Sequence, residues 1–194
     1  MARTRWQEER SADDSRDYVQ RLVDLAAEGT DLHGEARFLD ALLAPGSRVL
    51  DAGCGTARVG AELARRGHTV TGVDHDPVLV AAAPEVPRLT VCPGDLSEFD
   101  LPGDQFDAAV AAGNVLVFLA PGTEGAVLAR VRAHLRPDGV LVTGFATDRE
   151  YTVERFDLDA SAAGFELESR FATWDLRPWR YNSDWAVSVL RVPR

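Results

Sequence analysis

Asp51 stands two residues before Gly53 in the stretch "VLDAGCGTARVG", residues 49 to 60, and that pairing is the first chemistry to explain. An apolar run followed by Gly-x-Gly usually takes phosphate, because glycine lets the backbone approach a ligand and the next helix offers unpaired amides. A carboxylate in the same place opposes this: like unit charges about 4 Å apart at an effective dielectric of roughly 20 repel by ~4 kcal/mol. The dinucleotide pattern G-x-G-x-x-G is also incomplete, since its third glycine position is Arg58. A ligand suited to this turn carries positive charge and no phosphate.

S-adenosylmethionine meets that requirement. It lacks phosphate, and its sulfonium and ammonium outweigh its one carboxylate. Gly53 and Gly55 still serve by letting the backbone come close to the methionine and ribose portions. The plainer alternative is that Asp51 caps the following helix or pairs with an arginine.

These residues need a scaffold, and the apolar pattern supplies one. Helices are predicted at 13–28, with Val19, Leu22, Val23 and Ala26 on one face, and at about 31–43. Strands are then read at 48–52, 69–74, 89–92, 106–112 and 139–145, alternating with helices at 57–66, 77–83, 122–135 and about 152–163. Continuous apolar strands separated by amphipathic helices imply a parallel sheet covered on both faces, a doubly wound α/β fold. The last stretch has no helix between its two strand-like segments, "FELESRFATWDL" and "DWAVSVLRV", so an antiparallel hairpin is expected there. Its first strand should run parallel to the preceding five.

The motif "LDAGCGTARVG" resembles motif I of the class I, Rossmann-like S-adenosylmethionine-dependent methyltransferases. Further landmarks follow in the family's order: "VTGVDHDP", "CPGDL", "FDAAVAAGNVLVFL" and "LRPDGVLVTGF", together covering residues 47 to 145. The resemblance implies a mostly parallel seven-stranded sheet closed by the C-terminal hairpin. It also implies S-adenosyl-L-methionine as cofactor, bound by the motif I residues Asp51, Ala52, Gly53, Cys54 and Gly55. Asp74, 23 residues after Asp51, would accept the ribose hydroxyls, a device that NAD-binding folds share. His75 would flank the adenine, and Gly94, Asp95 and Leu96 would meet its amino group and a ring nitrogen. Gly113 and Asn114 would lie by the methionine portion. In related enzymes the segment before the first strand folds over the methionine end, which brings in Tyr18 and Arg37, the latter as a partner for the cofactor carboxylate.

Structural readings stand beside several of these. Asp95 suits an ordinary turn, Tyr18 and Arg37 suit a helix surface, and Asp76 suits the cap of a helix starting at Pro77. His33 and His134 read as solvated helix residues, and the four histidines are not spaced for metal.

Composition bounds the rest. The chain has 194 residues, enough for one domain: an N-terminal helical extension (1–46), a cofactor-binding core (47–145), and a helix with the closing hairpin (146–194). Disorder is expected only in the first dozen residues. Net charge is −10 and all 21 basic residues are arginine, so a nucleic-acid partner is not expected. No apolar run reaches the length of a bilayer span, and two unpaired-looking cysteines without a secretory leader favour the cytoplasm.

The acceptor is expected to be a small molecule, recognised by loops 114–124, 145–153 and 174–185. In the last of these, Trp179, Arg180 and Tyr181 either line an acceptor entrance or simply pack the hairpin. No catalytic residue is assigned, because a base is needed only if the acceptor arrives protonated. Two other readings stay open: a non-catalytic module holding S-adenosylmethionine or S-adenosylhomocysteine, and an NAD-dependent oxidoreductase.

Overall fold

The computed structural model describes residues 3–101, 103 and 105–194; residues 1 and 2 of the expected domain lie outside the described set. The chain begins with α1 (Arg5–Glu9), α2 (Ala12–Ala27) and α3 (Gly34–Leu42). An alternating series follows: β1 (Arg48–Ala52), α4 (Arg58–Arg65), β2 (Thr69–Asp74), α5 (Pro77–Ala81), β3 (Leu89–Pro93) and β4 (Phe106–Ala111). After a single 3-10 turn at Val115–Phe118 come α6 (Glu124–His134), β5 (Leu135–Ala146), α7 (Val153–Ala162), β6 (Glu166–Phe171) and β7 (Trp185–Arg191).

The seven strands form one sheet in the order β3-β2-β1-β4-β5-β7-β6. β1 pairs in parallel with both β2 and β4, while β7 is antiparallel to β5 and β6. The expected doubly wound sheet with its closing hairpin is therefore present, and β6 runs in the same direction as β5. Strand order reverses at β1, so a crevice opens beyond the carboxyl ends of β1 and β4, where such sheets place ligands.

Strand periodicity divides the core into two layers. Leu50, Leu141 and Leu190 face α6 and α7 and pack with Phe145, Phe156 and Leu128. Val49, Val70, Val110 and Val142 face the other way, onto Phe38 and Leu39 of α3 and Val59 and Leu63 of α4. Asp51, two residues after Val49, points to the α4 side of the sheet.

The N-terminus differs from expectation. Residues 5–9 form a helix rather than a disordered tail, with Thr4 and Gln7 making a reciprocal capping box. Arg5 anchors that helix by donating to the Leu119 carbonyl at 3.0 Å and to Glu124 at 3.1 Å. The apolar face expected on α2 is only partly used: Val19 and Leu22 are half-buried, Val23 is 56% exposed, and the buried residue is Ser15. The reason is position, since α2 packs beside α5 and over the crevice, away from the sheet.

β5 is longer than its apolar run because Leu135 pairs with Phe106 before a register shift. His134 is buried, not solvated. It stacks on Phe99 with centroids 4.6 Å apart, accepts the Leu101 N–H at Nε2, and donates from Nδ1 to the Arg130 carbonyl.

Candidate functional site

A cavity of about 510 Å³ occupies the crevice. Its floor comes from the carboxyl ends of β1 and β2 and the loops after β3 and β4, and its roof from α1 and α2. Of the residues named from the sequence, Asp51, Gly53, Cys54, Gly55, Asp74, His75, Asp95, Leu96, Gly113, Asn114 and Tyr18 line it.

Asp51 does what the plainer reading proposed while also facing the cavity. Its Oδ2 accepts the Gly60 N–H at 2.9 Å, satisfying one of the unpaired amides in the first turn of α4. α4 has no side-chain cap of its own, because Ala57 precedes it in the left-handed conformation. Burial pushes the Asp51 carboxyl up to about 7, against the opposing pull of the Gly60 amide and the Arg58 charge. A carboxylate that burial makes costly to ionise is one that a cationic ligand would help to ionise.

The glycine turn is fixed from β2. The N–H groups of Gly53 and Cys54 donate to the Val73 carbonyl at 2.8 and 3.1 Å, and the Gly55 N–H donates to Asp74 Oδ2 at 2.8 Å. Gly53 has φ +75°, and a Cβ there would lie 2.5 Å from Val115 Cγ1, so only glycine fits. Asp74 Oδ1 accepts the Asp76 N–H at 2.9 Å. Each Asp74 oxygen keeps a second lone pair, which leaves capacity for ligand hydroxyls.

Asp95 makes the turn that the alternative reading described, accepting from Ser97 N at 2.8 Å and Ser97 Oγ at 2.7 Å, and still lines the cavity. Asn114, at φ +72°, uses its side-chain oxygen to accept the Ala146 N–H at 2.8 Å, tying the β4 loop to the end of β5. His75 Nε2 lies 3.3 Å from Thr4 Oγ1 of the roof. Burial raises the thiol of Cys54 far above its ordinary value, so it is no nucleophile. Asp76 caps α5 as expected, through Val78 and Leu79.

Three named residues are placed elsewhere. Ala52 is buried in the core beneath α6 and α7. Gly94 keeps its backbone on β2, donating to the Asp74 carbonyl at 2.9 Å. Arg37 is half exposed and pairs with Asp31, which forms a fork at the start of α3 and draws the guanidinium outward. Arg58 does reach the cavity, gripped by both oxygens of Glu35 at 2.9 and 2.6 Å and bonded to the Leu32 carbonyl. Burial opposes ionisation of Glu35, yet the Arg58 contacts hold its carboxyl below the usual range. The sequence did carry a signal for this pair: Arg58 occupies the position where a dinucleotide site has its third glycine.

Of the two readings of the hairpin loop, its tryptophans fit packing. Trp174 lies over Gly144 and edge-on to Phe38, and Trp179 stacks with the Arg170 guanidinium 5.4 Å from its ring. Tyr181 is 87% exposed. None of Trp179, Arg180 and Tyr181 lines the cavity; the β4 loop (Asn114, Val115, Phe118, Leu119) and Arg149 after β5 do so. Thr4, Trp6, Arg10 and Arg21 of the roof were not anticipated.

Residues 49–139 match a family model described as a methyltransferase domain. Over nearly the whole chain, the fold superposes on a TehB-like SAM-dependent methyltransferase of Corynebacterium glutamicum, with a TM-score of 0.89 and 39% identity, covering 95% of this chain and 100% of that one. The chain belongs to the class I S-adenosylmethionine-dependent methyltransferases. Among curated proteins, this methyltransferase-family chain is 34% identical over 148 residues to the trans-aconitate 2-methyltransferase of Deinococcus radiodurans, covering 71% of this chain and 55% of that protein. It spans about half or less of the other curated relatives it matches. The SAM-bound amino pentose methyltransferase CalS10 of Micromonospora echinaspora shares the fold, with a TM-score of 0.68 at 22% identity, covering 88% of this chain and 97% of that one. Among the described residues no cluster of His, Cys, Asp or Glu could hold a metal, and no helix is long and apolar enough to cross a membrane.

Proposed function

We propose that this chain transfers a methyl group from S-adenosylmethionine to a small-molecule acceptor. The observation that carries the reading is the buried Asp51 beside the Gly53–Gly55 turn, in a cavity of about 510 Å³ whose floor also presents Asp74 and Asp95. The donor set fits the cofactor: carboxylates for its positive charge and hydroxyls, and a glycine turn that brings backbone close. When bound, S-adenosylmethionine supplies an electrophilic methyl group on a cationic sulfur. Asp51 balances that charge, Asp74 holds the ribose, and Asp95 with Leu96 meets the adenine. Gly113 and Asn114 border the methionine end, and Trp6 and Tyr18 of the roof exclude water. Holding the acceptor in line then supplies much of the rate without a covalent intermediate.

A small acceptor is favoured by the enclosed cavity under α1 and α2 and by the net charge of −10, which opposes nucleic acid. The free Cys54 and Cys92 favour a reducing, cytoplasmic setting. We take residues 1–194 to act as one domain, with the 1–46 extension contributing α1 and α2 to the site. The 34% identical relative is named for action on trans-aconitate, which makes that acid the first acceptor to try.

Calorimetric titration with S-adenosylmethionine, S-adenosylhomocysteine and NAD tests the cofactor, and mass detection of methylated product across an acceptor panel tests the reaction. Binding of both adenosyl compounds and not NAD, with product, is the expected result. NAD binding in their place would overturn the reading. Adenosyl binding without turnover on any acceptor would instead make the chain a cofactor-holding module.

A further inference from the structure

The cavity wall carries cations contributed by three separate segments. Arg10 follows α1, Arg21 lies on α2, and Arg149 lies in the loop after β5; all three line the cavity. Arg58, the fourth lining arginine, is already held by Glu35. Among the described residues Arg10 and Arg21 have no side-chain hydrogen bond or ion pair. Arg10 has only the Trp6 ring, 5.9 Å away, and the field of Asp14. Arg149 reaches only Asp148, at 3.8 Å, whose side chain is 81% exposed.

Opposing charge on this side is weaker. Asp14 is occupied as the capping partner of Ser11, accepting its N–H and hydroxyl at 2.8 and 2.7 Å. Asp17 is the other lining carboxylate on α2, one helical turn before Arg21 and outside ion-pair distance of it. A chain of net charge −10 repels anions over most of its surface, so Arg10 and Arg21, without an ion-pair partner among the described residues, and Arg149, with only the exposed Asp148, are the groups of the cavity wall able to attract one.

Apart from the carboxylates Asp14 and Asp17, this wall offers little that could act as a base. It contains no lysine. Its histidine, His75, is engaged with Thr4 and lies 3.9 Å from Asp74, and the Cys54 thiol stays protonated. An acceptor that arrives already deprotonated needs none.

Resting on the methyltransferase reading above, we infer that the acceptor is a small carboxylic acid, bound as its anion by Arg10, Arg21 and Arg149 and methylated on a carboxylate oxygen. The acceptor oxygen attacks the methyl carbon; the O–CH3 bond forms as the S–CH3 bond breaks, and the bonding pair goes to sulfur. The acceptor loses one negative charge, the sulfonium becomes a thioether, and no proton moves. Guanidiniums suit this task because their paired N–H groups match both oxygens of a carboxylate and fix which oxygen faces the methyl group.

The test uses the full chain saturated with S-adenosylhomocysteine, titrated calorimetrically with benzoate, succinate, fumarate and citrate, and with benzamide and succinamide as neutral counterparts. At least one acid should bind, with its amide failing to do so. The same acid should give a methyl ester when S-adenosylmethionine is supplied. Arg21→Gln and Arg149→Gln should each weaken acid binding by roughly tenfold or more while S-adenosylhomocysteine affinity stays unchanged. Arg149→Lys should recover part of the loss, and Asp17→Asn should tighten the acid. The inference is overturned if no acid binds, if the amides bind equally well, or if the arginine variants lose S-adenosylhomocysteine affinity and leave acid binding intact. Failure of the unaltered chain to bind either adenosyl compound would sink the methyltransferase reading, a result the acid titrations cannot imitate.

Discussion

The indole Nε1 of Trp6 donates to Asp76 Oδ2 at 2.8 Å, joining α1 to the cap of α5 across 70 residues of sequence. Ser15 Oγ donates to the same oxygen at 2.6 Å, so both roof helices end on one carboxylate. Asp76 in turn donates its N–H to Asp74, and Asp74 accepts from Gly55. A continuous set of hydrogen bonds thus runs from the roof of the cavity to the glycine turn in its floor. Although burial opposes ionisation, the Ser15 and Trp6 contacts hold the Asp76 carboxyl below its ordinary value.

Trp6→Phe keeps an aromatic ring against Phe118 and Tyr18 while removing the N–H together with the pyrrole part of the indole. A hydrogen bond to a charged group contributes about 1.5–3 kcal/mol, and part of this is retained through Ser15. Hydrogen exchange over residues 5–27 should therefore quicken by roughly 5- to 30-fold while the strands keep their protection. Unchanged exchange in α1 would show that Trp6 does not hold the roof down.

Glu35→Gln tests the Arg58 anchor. Glu35 and Arg58 side chains are 15% and 22% exposed, and Glu35 does not line the cavity. Removing one partner of a largely buried pair leaves the other charge uncompensated, at about 3 kcal/mol. For a chain of this size that is a fall in Tm of roughly 6–12 °C. The freed guanidinium gains access to the cavity, so cofactor affinity should change as well. A Tm shift without any change in affinity would confine the pair to a structural role.

The sheet was legible because its signal is local. Each of β1, β2 and β4 is a short apolar run ended by Asp51, Asp74 or Gly113, and the turn glycines mark where the backbone reverses. The roof was not legible, since its contacts are long-range and polar. Nothing near Trp6 announces Asp76, and α1 has no buried residue of its own to give it a hydrophobic stripe. The sequence singled out Arg37 and not Arg58, which is the one of the two that lines the cavity, for the same reason. The choice between them depends on which acid each meets in space, Asp31 at the surface or Glu35 beneath the roof. Tryptophans of the 174–185 loop left a ligand surface and packing both open, because the partner that decides, Gly144 beneath Trp174, lies 30 residues away in sequence.

Gly53→Ala should disable the turn. The φ of +75° disfavours any side chain, and the new Cβ would meet Val115 Cγ1 at 2.5 Å and Cγ2 at 2.6 Å. Left-handed strain of about 1–2 kcal/mol adds to overpacking of about 1–3 kcal/mol, giving a total near 2–5 kcal/mol by urea denaturation. Combining Gly53→Ala with Val115→Ala should recover the overlap component and leave the strain. Full recovery in the double variant would mean that backbone conformation contributes nothing here.

Asp51 makes a prediction about pH whose sign follows from burial. Its carboxyl is held up at about 7, above the ordinary carboxylate value near 3.9, so the folded apoprotein keeps a proton that the unfolded chain loses. The contribution of this group to stability is full below about pH 4 and is lost as pH rises towards 7, on the order of 4 kcal/mol in all. A cationic cofactor favours the ionised form, so its binding should release a proton and tighten as pH rises from about 5.5 to 7. An α-ammonium keeps its charge over that range, so the released proton comes from the protein, and the Asp51→Asn variant separates Asp51 from the other groups of the cavity. Calorimetry of S-adenosylmethionine in buffers of different ionisation enthalpy reads the proton directly. Asp51→Asn retains an oxygen for the Gly60 N–H, so it should flatten both the stability profile and the affinity profile without unfolding α4. A variant that still shows the same rise in affinity would remove Asp51 as the source of the cavity's preference for positive charge.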